Sequence, residues 1–457
     1  MNRILVVGLG KSGISAAKLL AGSADVWTWD GTAEDKFDKE MVAGLRKLGV
    51  SCIFDETPKG PWDMLVLSPG VPPWLDFITE ARAQGAVISG ELELAFQICK
   101  GSFLAVTGTN GKTTTTTLLG EMVKAAGIPC EVAGNIGLPV TQVAAQALPG
   151  TIMVTEVSSF QLESTSAFKP HVSSILNITP DHMDRHKTME EYRRVKHLVH
   201  KNQDENDFYV FNADDKALAE ESLAMDIRAK RVPFSHSLSE AELERYASGS
   251  GIWAFAEDGV MQIRDHGSRK VICPVSVLQI PGTHNLENAL AAAAMAYCAG
   301  IDTQTIAAVL ASFKGVEHRI EFVRELDGVR YVNDSKGTNP DSTEKAIEAT
   351  KPGILLIAGG YDKGSDFKHL VSCFGGKVKK LLLLGKTAEK FADDAQAMGY
   401  DRADMVFCKD MEECVARGRQ LASPGDTVLL SPACASWDMY TSYEKRGEHF
   451  KDIVNSL

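Results

Sequence analysis

The chain is 457 residues long, 44% hydrophobic and 24% charged, the composition of a soluble globular protein and a length that calls for two to three hydrophobic cores. A formal net charge of −12 with no long block of like charge excludes the broad basic footprint of a nucleic-acid binder. Nine scattered cysteines without a C-x-x-C pair suggest neither a disulfide framework nor a zinc site, and the longest apolar run, Ala289 to Ala299, is too short to span a bilayer. Reduced thiols, a cytoplasmic location and no membrane partner are the expectation.

Ile4 to Val7 reads as a buried strand, and Gly8-Leu9-Gly10-Lys11-Ser12-Gly13 turns it into a helix through Leu20. A second strand, Val26 to Trp29, ends in Asp30, about where a dinucleotide fold places its ribose acid. Taken alone this suggests NAD and an oxidoreductase, but glycine amides and a helix dipole see only pyrophosphate and so suit any nucleotide diphosphate. Met64 to Leu67 is another buried strand, followed by Ser68-Pro69-Gly70, which is either an ordinary turn or a ligand loop at the strand's carboxyl end.

Phe103 to Val106 is a buried strand, Thr107-Gly108-Thr109-Asn110-Gly111 a glycine-broken turn, and Lys112-Thr113-Thr114 leads into a helix. Gly108 and Gly111 let backbone N–H groups turn inward beside a helix N-terminus, a cradle for polyphosphate. Lys112 is placed to reach the β- and γ-phosphates, and the Thr113 hydroxyl to ligate Mg²⁺. The spacing departs from G-x-x-x-x-G-K-[ST], because Val106 stands where the first glycine belongs.

Ala133 to Gly137 forms a second glycine-punctuated turn carrying Asn135, and the strand Ile152 to Val157 delivers Glu156 near its carboxyl end, making it a metal candidate. The strand Val172 to Ile178 runs into Thr179-Pro180-Asp181-His182-Met183-Asp184-Arg185-His186, a loop rich in imidazole and carboxylate that reads either as a second metal site or as solvated polar residues. Glu190 to His200 is a charged helical stretch in which periodicity alone places Lys196 at the surface. Residues 230–275 are irregular and compatible with a small antiparallel sheet. Thr283-His284-Asn285-Leu286-Glu287-Asn288 opens a long Ala-rich helix, where the two Asn side chains either cap the helix or meet an adenine edge.

Glu317-His318-Arg319 reads as a hinge into a last domain. Its strands, Val329 to Val332, Ile354 to Ala358, Leu381 to Leu384 and Val428 to Leu430, alternate with helices, which implies a parallel sheet. The loops at one edge carry Lys336, Thr338, Lys363 and Ser436, a set suited to a small dicarboxylate.

TGTNGKTT, PGTHNLEN, EHR, NDSKGTNP, GGYDKG and LLSPACASWD together resemble the Mur ligases of peptidoglycan synthesis over essentially the whole chain. VVGLGKSG, SPGVP, NDSKGTN and SPACASWD are most similar to the branch that adds D-glutamate to UDP-N-acetylmuramoyl-L-alanine. The resemblance implies an α/β protein of three domains: a Rossmann-like domain at 1–98 for the UDP end, a central ATPase domain at 99–315, and a Rossmann-like domain at 316–457 for the amino acid. It further implies an acyl-phosphate and a tetrahedral intermediate, with ATP cleaved to ADP and phosphate.

On this resemblance, Lys11, Ser12, Asp30, Thr32, Ser68, Pro69, Gly70 and Asn135 serve the UDP substrate. Gly108 to Thr114, Asn285, Asn288, Arg319, Asp334 and Lys336 surround ATP. Thr338, Lys363, Ser436 and Tyr443 serve D-glutamate. Lys112, Thr113 and Glu156 would hold phosphates and one Mg²⁺, while His182 and a carbamylated Lys196 would hold a second ion. A monomer is expected. The alternatives are a Mur-type ligase with another amino-acid acceptor, and the NAD-linked oxidoreductase.

Overall fold

Short apolar runs alternating with amphipathic helices build parallel sheets, and the first of them lies in the N-terminal ninety residues. The strands are β1 (Arg3–Val7), β2 (Asp25–Asp30), β3 (Ser51–Phe54), β4 (Met64–Leu67) and β5 (Val87–Gly90), paired in parallel in the order β3-β2-β1-β4-β5. Strand order reverses beside β1, the position where doubly wound sheets bind ligands. There the helix Lys11–Leu20 starts so close to β1 that a Cβ on Gly13 would lie 1.9 Å from the Gly8 carbonyl oxygen, which only glycine avoids.

The second sheet has nine strands: β6 (Ser102–Thr107), β7 (Cys130–Gly134), β8 (Ile152–Glu156), β9 (Val172–Ile175), β10 (Phe208–Asn212), β11 (Lys230–Ser235), β12 (Ile252–Glu257), β13 (Val260–Asp265) and β14 (Ser268–Pro274). Their order is β14-β13-β12-β11-β10-β9-β6-β8-β7, parallel except for β12, β13 and β14, which pair antiparallel. The irregular region is therefore no separate sheet. It is an antiparallel extension of the main one, joined through the parallel β11–β12 pair.

A buried carboxyl ties the first sheet's layer to the second's. Glu91 begins the helix Glu91–Ile98 and is 2% exposed; it accepts the Thr141 N–H at 2.6 Å and the Thr141 hydroxyl at 2.7 Å. The Ser15 hydroxyl meets that of Thr141 at 2.7 Å. Burial pushes the Glu91 pKa up.

The third sheet consists of β15 (Glu321–Leu326), β16 (Val329–Asn333), β17 (Ile354–Ala358), β18 (Val378–Leu383), β19 (Met405–Phe407) and β20 (Thr427–Leu430), in the order β15-β16-β20-β17-β18-β19. Only β15 runs antiparallel. Ile354 to Ala358 and Val428 to Leu430 are fully buried, as strands covered on both faces must be.

The structure, a computed structural model, describes residues 2–280, 282–361 and 366–457, the side chain of Asp184 excepted. It divides into two compact units: residues 1–178, 190–277 and 287–312, which carry the first two sheets, and residues 179–189, 278–286 and 313–457, which carry the third. Among the described residues, no helix is long and apolar enough to cross a membrane.

Candidate active site

In the first unit, β6 ends at Thr107 and the helix Lys112–Ala125 begins after Gly111, whose φ of 83° puts it in the left-handed region. A Cβ there would sit 2.1 Å from the Asn288 Oδ1, so glycine serves both the turn and the close packing of Asn288. Asn288 also accepts the Thr115 hydroxyl at 3.3 Å. Asn177, which the sequence did not single out, pins the loop: its backbone oxygen accepts the Thr109 N–H at 3.0 Å and its side-chain oxygen accepts the Asn110 N–H at 2.9 Å.

Two lysine amines converge on one carbonyl of this loop. Lys112 Nζ donates to the Gly108 oxygen at 2.9 Å and to the Thr109 oxygen at 2.7 Å, while Lys196 Nζ donates to the same Gly108 oxygen at 2.6 Å. Lys196 is 1% exposed, which overturns the surface placement that periodicity gave. It ends the helix Met189–Lys196, and Tyr192, one turn earlier on the same face, lies beneath its amine at 5.0 Å and meets the Thr109 hydroxyl at 3.2 Å. That i,i+4 spacing was the available signal for Tyr192. Clustered amines beside a helix N-terminus make a positive focus suited to polyphosphate.

Glu156 closes β8 and is 1% exposed. One carboxylate oxygen accepts the Thr113 hydroxyl at 2.7 Å and the other accepts the Asn135 amide at 2.8 Å. Thr114 is buried. Thr113 and Glu156 offer oxygen donors side by side, the donor chemistry a hard cation such as Mg²⁺ takes.

At the switch point of the first sheet, the Ser68 hydroxyl donates to the Gly8 oxygen at 2.8 Å. Asp30 is engaged on both oxygens, accepting the Leu9 N–H at 2.8 Å and the Thr32 N–H at 3.0 Å, so it braces the glycine loop. Lys11 and Gly70 are exposed there, with Ser12 and Pro69 half-buried.

In the second unit, His182 has a φ of 55° and its N–H donates to the Asp181 carboxylate at 2.9 Å. The Asn339 amide reaches the other Asp181 oxygen at 3.1 Å. Asn285 is buried. His182 and Asn285 belong to this unit, whereas Lys196, Glu156 and Asn288 belong to the first.

The loops after β16 and β20 meet around Asp334, which is fully buried. It accepts the Ser431 hydroxyl at 2.7 Å and the Ile320 N–H at 3.2 Å, with Arg319 at 4.0 Å. Burial raises its pKa from 3.8 to about 6, against the pull of Arg319. The folded state therefore binds more protons than the unfolded one between these values, so this group's contribution to stability falls as pH rises from about 4 to about 6. Above about pH 6 this shift costs about 3 kcal/mol of stability. In Asp334→Asn, urea unfolding across that window is expected to lose this downward slope; an unchanged slope would contradict the assignment.

Lys336 Nζ donates to the Tyr443 hydroxyl at 3.1 Å, and Thr338 follows half-buried. Ser436 is buried in the loop after β20. Lys363 lies outside the described residues. Arg446 went unnoticed in the sequence because a charged residue in an amphipathic helix reads as surface. It is 3% exposed and laces two loops, donating to the Ser335 hydroxyl at 3.0 Å, the Ser335 carbonyl at 2.8 Å and the Cys434 carbonyl at 3.1 Å. Desolvation lowers its pKa to about 10, which leaves it a cation beside Asp334.

Two family models match: the Mur ligase middle domain over residues 106–296, and the Mur ligase glutamate ligase domain over residues 318–434. A UDP-N-acetylmuramoylalanine--D-glutamate ligase of Thermoanaerobacter pseudethanolicus is 46% identical, covering 100% of this chain and 98% of its own. The chain belongs to the Mur ligase family. The ligase of the same name from Clostridioides difficile is 45% identical over 100% of this chain and 99% of its own. Among solved structures, the Mur ligase fold is shared with UDP-N-acetylmuramate-alanine ligase MurC of Thermotoga maritima, with a TM-score of 0.60, 19% identity and full coverage of both chains. MurF ligase of the same organism, solved with ADP, gives a TM-score of 0.60 at 15% identity, covering 94% of this chain and 95% of its own. Membership of this family sets aside the oxidoreductase reading of the N-terminal glycine loop.

Proposed function

We propose that this Mur ligase joins D-glutamate to UDP-N-acetylmuramoyl-L-alanine while cleaving ATP to ADP and phosphate. The observation that carries the reading is the convergence of Lys112 and Lys196 on the phosphate loop beside the Thr113–Glu156 pair. The relatives' shared name supports the choice of substrates.

A substrate carboxylate oxygen attacks the γ-phosphorus, the bond to the ADP oxygen breaks, and an acyl phosphate forms. The D-glutamate amine then adds to the acyl carbon, loses a proton to solvent, and the tetrahedral intermediate expels phosphate. The protein's work is positioning and charge neutralisation. Gly108 to Thr114 hold the triphosphate, with Asn285, Asn288, Arg319, Asp334 and Lys336 around the nucleotide. Lys112 faces the charge that develops on the phosphates. Thr113 and Glu156 would hold Mg²⁺, which when bound neutralises phosphate charge.

Carbamylation of Lys196 would leave one N–H for the Gly108 oxygen and add an anionic group able, with His182, to hold a second ion. Lys11, Ser12, Asp30, Thr32, Ser68, Pro69, Gly70 and Asn135 form the UDP-substrate end. Thr338, Lys363, Ser436 and Tyr443 take the two carboxylates of D-glutamate. The three sheets support the division into domains at 1–98, 99–315 and 316–457. The expected setting is a monomer in a bacterial cytoplasm.

The test is phosphate release from ATP and Mg²⁺ with UDP-N-acetylmuramoyl-L-alanine and, in turn, D-glutamate, L-glutamate, L-alanine, L-lysine and meso-diaminopimelate. Release with D-glutamate alone, with a product of matching mass, is expected. Release with a different amino acid would overturn the acceptor, and release with none would overturn the ligase reading.

A further inference from the structure

Two helices of the second unit bring a further set of metal-ligating side chains together. His369 lies on the helix Phe367–Ser372 and Cys373 is its C-terminal cap, four residues on and so on the same face. Glu344 comes from the helix Pro340–Ala349. The ligand atoms of all three lie within 4.8 Å of one another.

His369 Nε2 is the atom on which the set converges, 3.7 Å from the Glu344 Oε2 and 4.0 Å from the Cys373 Sγ. Tetrahedral zinc with ordinary bond lengths would place nitrogen and carboxylate oxygen about 3.4 Å apart, and nitrogen and sulfur about 3.6 Å apart. These two edges need to shorten by only about 0.3–0.4 Å to reach those values, and the third, between the Glu344 carboxylate and the Cys373 sulfur, lies within 4.8 Å. Side-chain rotation supplies this readily, because the His369 side chain is 76% exposed. That exposure also leaves a fourth position open to water.

We propose that Glu344, His369 and Cys373 form a site for a thiophilic divalent cation of the zinc type. A thiolate, an imidazole and a carboxylate select zinc-like ions over Mg²⁺, which takes oxygen donors and would not compete. On binding, the Cys373 S–H bond breaks, its proton passes to buffer and an S–metal bond forms. The ion then ties the helix Pro340–Ala349 to the helix Phe367–Ser372. The site was not legible in the sequence, since two ligands are one helical turn apart and the third lies 25 residues upstream, a spacing unlike that of zinc-ribbon or zinc-finger motifs.

The test is titration of the full-length, untagged, chelator-treated protein with Co²⁺ alone in excess Mg²⁺, reading the thiolate-to-cobalt charge-transfer band in the near ultraviolet. One equivalent is expected to produce the band, and Zn²⁺ to remove it. Cys373→Ser should abolish it, and His369→Ala and Glu344→Ala should each weaken Co²⁺ binding by more than the roughly 10- to 100-fold typical of losing a group that only hydrogen-bonds to a ligand. Retained ligase turnover in Cys373→Ser shows that the variant is folded. As a second readout, Zn²⁺ should protect Cys373 selectively from alkylation, the other eight cysteines serving as internal controls. No band at one equivalent, or a band that persists in Cys373→Ser, would overturn the site.

Discussion

Lys112→Met is expected to leave the protein folded and to lower kcat for ligation by about 10²- to 10³-fold, the loss of about 3–4 kcal/mol of charge stabilisation seen when a single transition-state donor is removed. Methionine keeps most of the side chain's length and apolar body, so packing on the loop survives. Its amine does not. The Gly108 oxygen retains a donor in Lys196, so the substitution leaves that carbonyl partnered. The effect should fall mainly on kcat, with a smaller rise in KM for ATP, because the charge that Lys112 faces grows as the phosphoryl group transfers. Initial rates of phosphate release against ATP concentration measure both. A rise in KM alone would assign Lys112 to ground-state binding only.

Lys196→Met is the second large effect. The side chain is fully buried, and the variant keeps its volume while removing the donor to Gly108, whose oxygen still has Lys112. A stability loss of about 1.5–3 kcal/mol is expected, the cost of one charged hydrogen bond. Turnover should fall by about 10²-fold or more if the proposed carbamate is the group that acts. Bicarbonate separates the two roles: the parent enzyme depleted of carbon dioxide should lose turnover and recover it on adding bicarbonate, and Lys196→Met should not respond. A variant that keeps more than about a tenth of parental turnover would remove Lys196 from the reaction.

The phosphate loop was legible in the sequence because its determinants are local: an apolar run, two glycines at fixed spacing and a helix start. The same holds for β1, β4, β17 and β20, which are buried on both faces and read as continuous apolar segments. The strands at Ser51–Phe54, Val87–Gly90, Cys130–Gly134 and Met405–Phe407 did not stand out, being short and mixed in polarity. Nothing local shows that β12 to β14 extend the main sheet, since strand pairing is set at a distance.

Buried cations were the least legible part of the site. Lys196 sits in the charged segment Met189–Lys196 and Arg446 in Tyr443–Ser456, and each looks like a solvated residue until tertiary packing surrounds it. The motif resemblance, not periodicity, pointed to Lys196; it did not point to Arg446. Asp30 stood where a ribose acid belongs, yet the structure engages both its oxygens with backbone N–H groups. Position along a motif identified the residue, and only the fold revealed what it holds.

The most direct test of carboxylate activation at this site is an oxygen-transfer measurement. UDP-N-acetylmuramoyl-L-alanine labelled with ¹⁸O in its alanyl carboxylate is turned over with ATP, Mg²⁺ and D-glutamate, and the released phosphate is analysed by mass. One labelled oxygen in each phosphate is the predicted result, since the acyl oxygen bonded to phosphorus leaves with it. Phosphate free of label, formed alongside the amide product, would contradict the acyl-phosphate route.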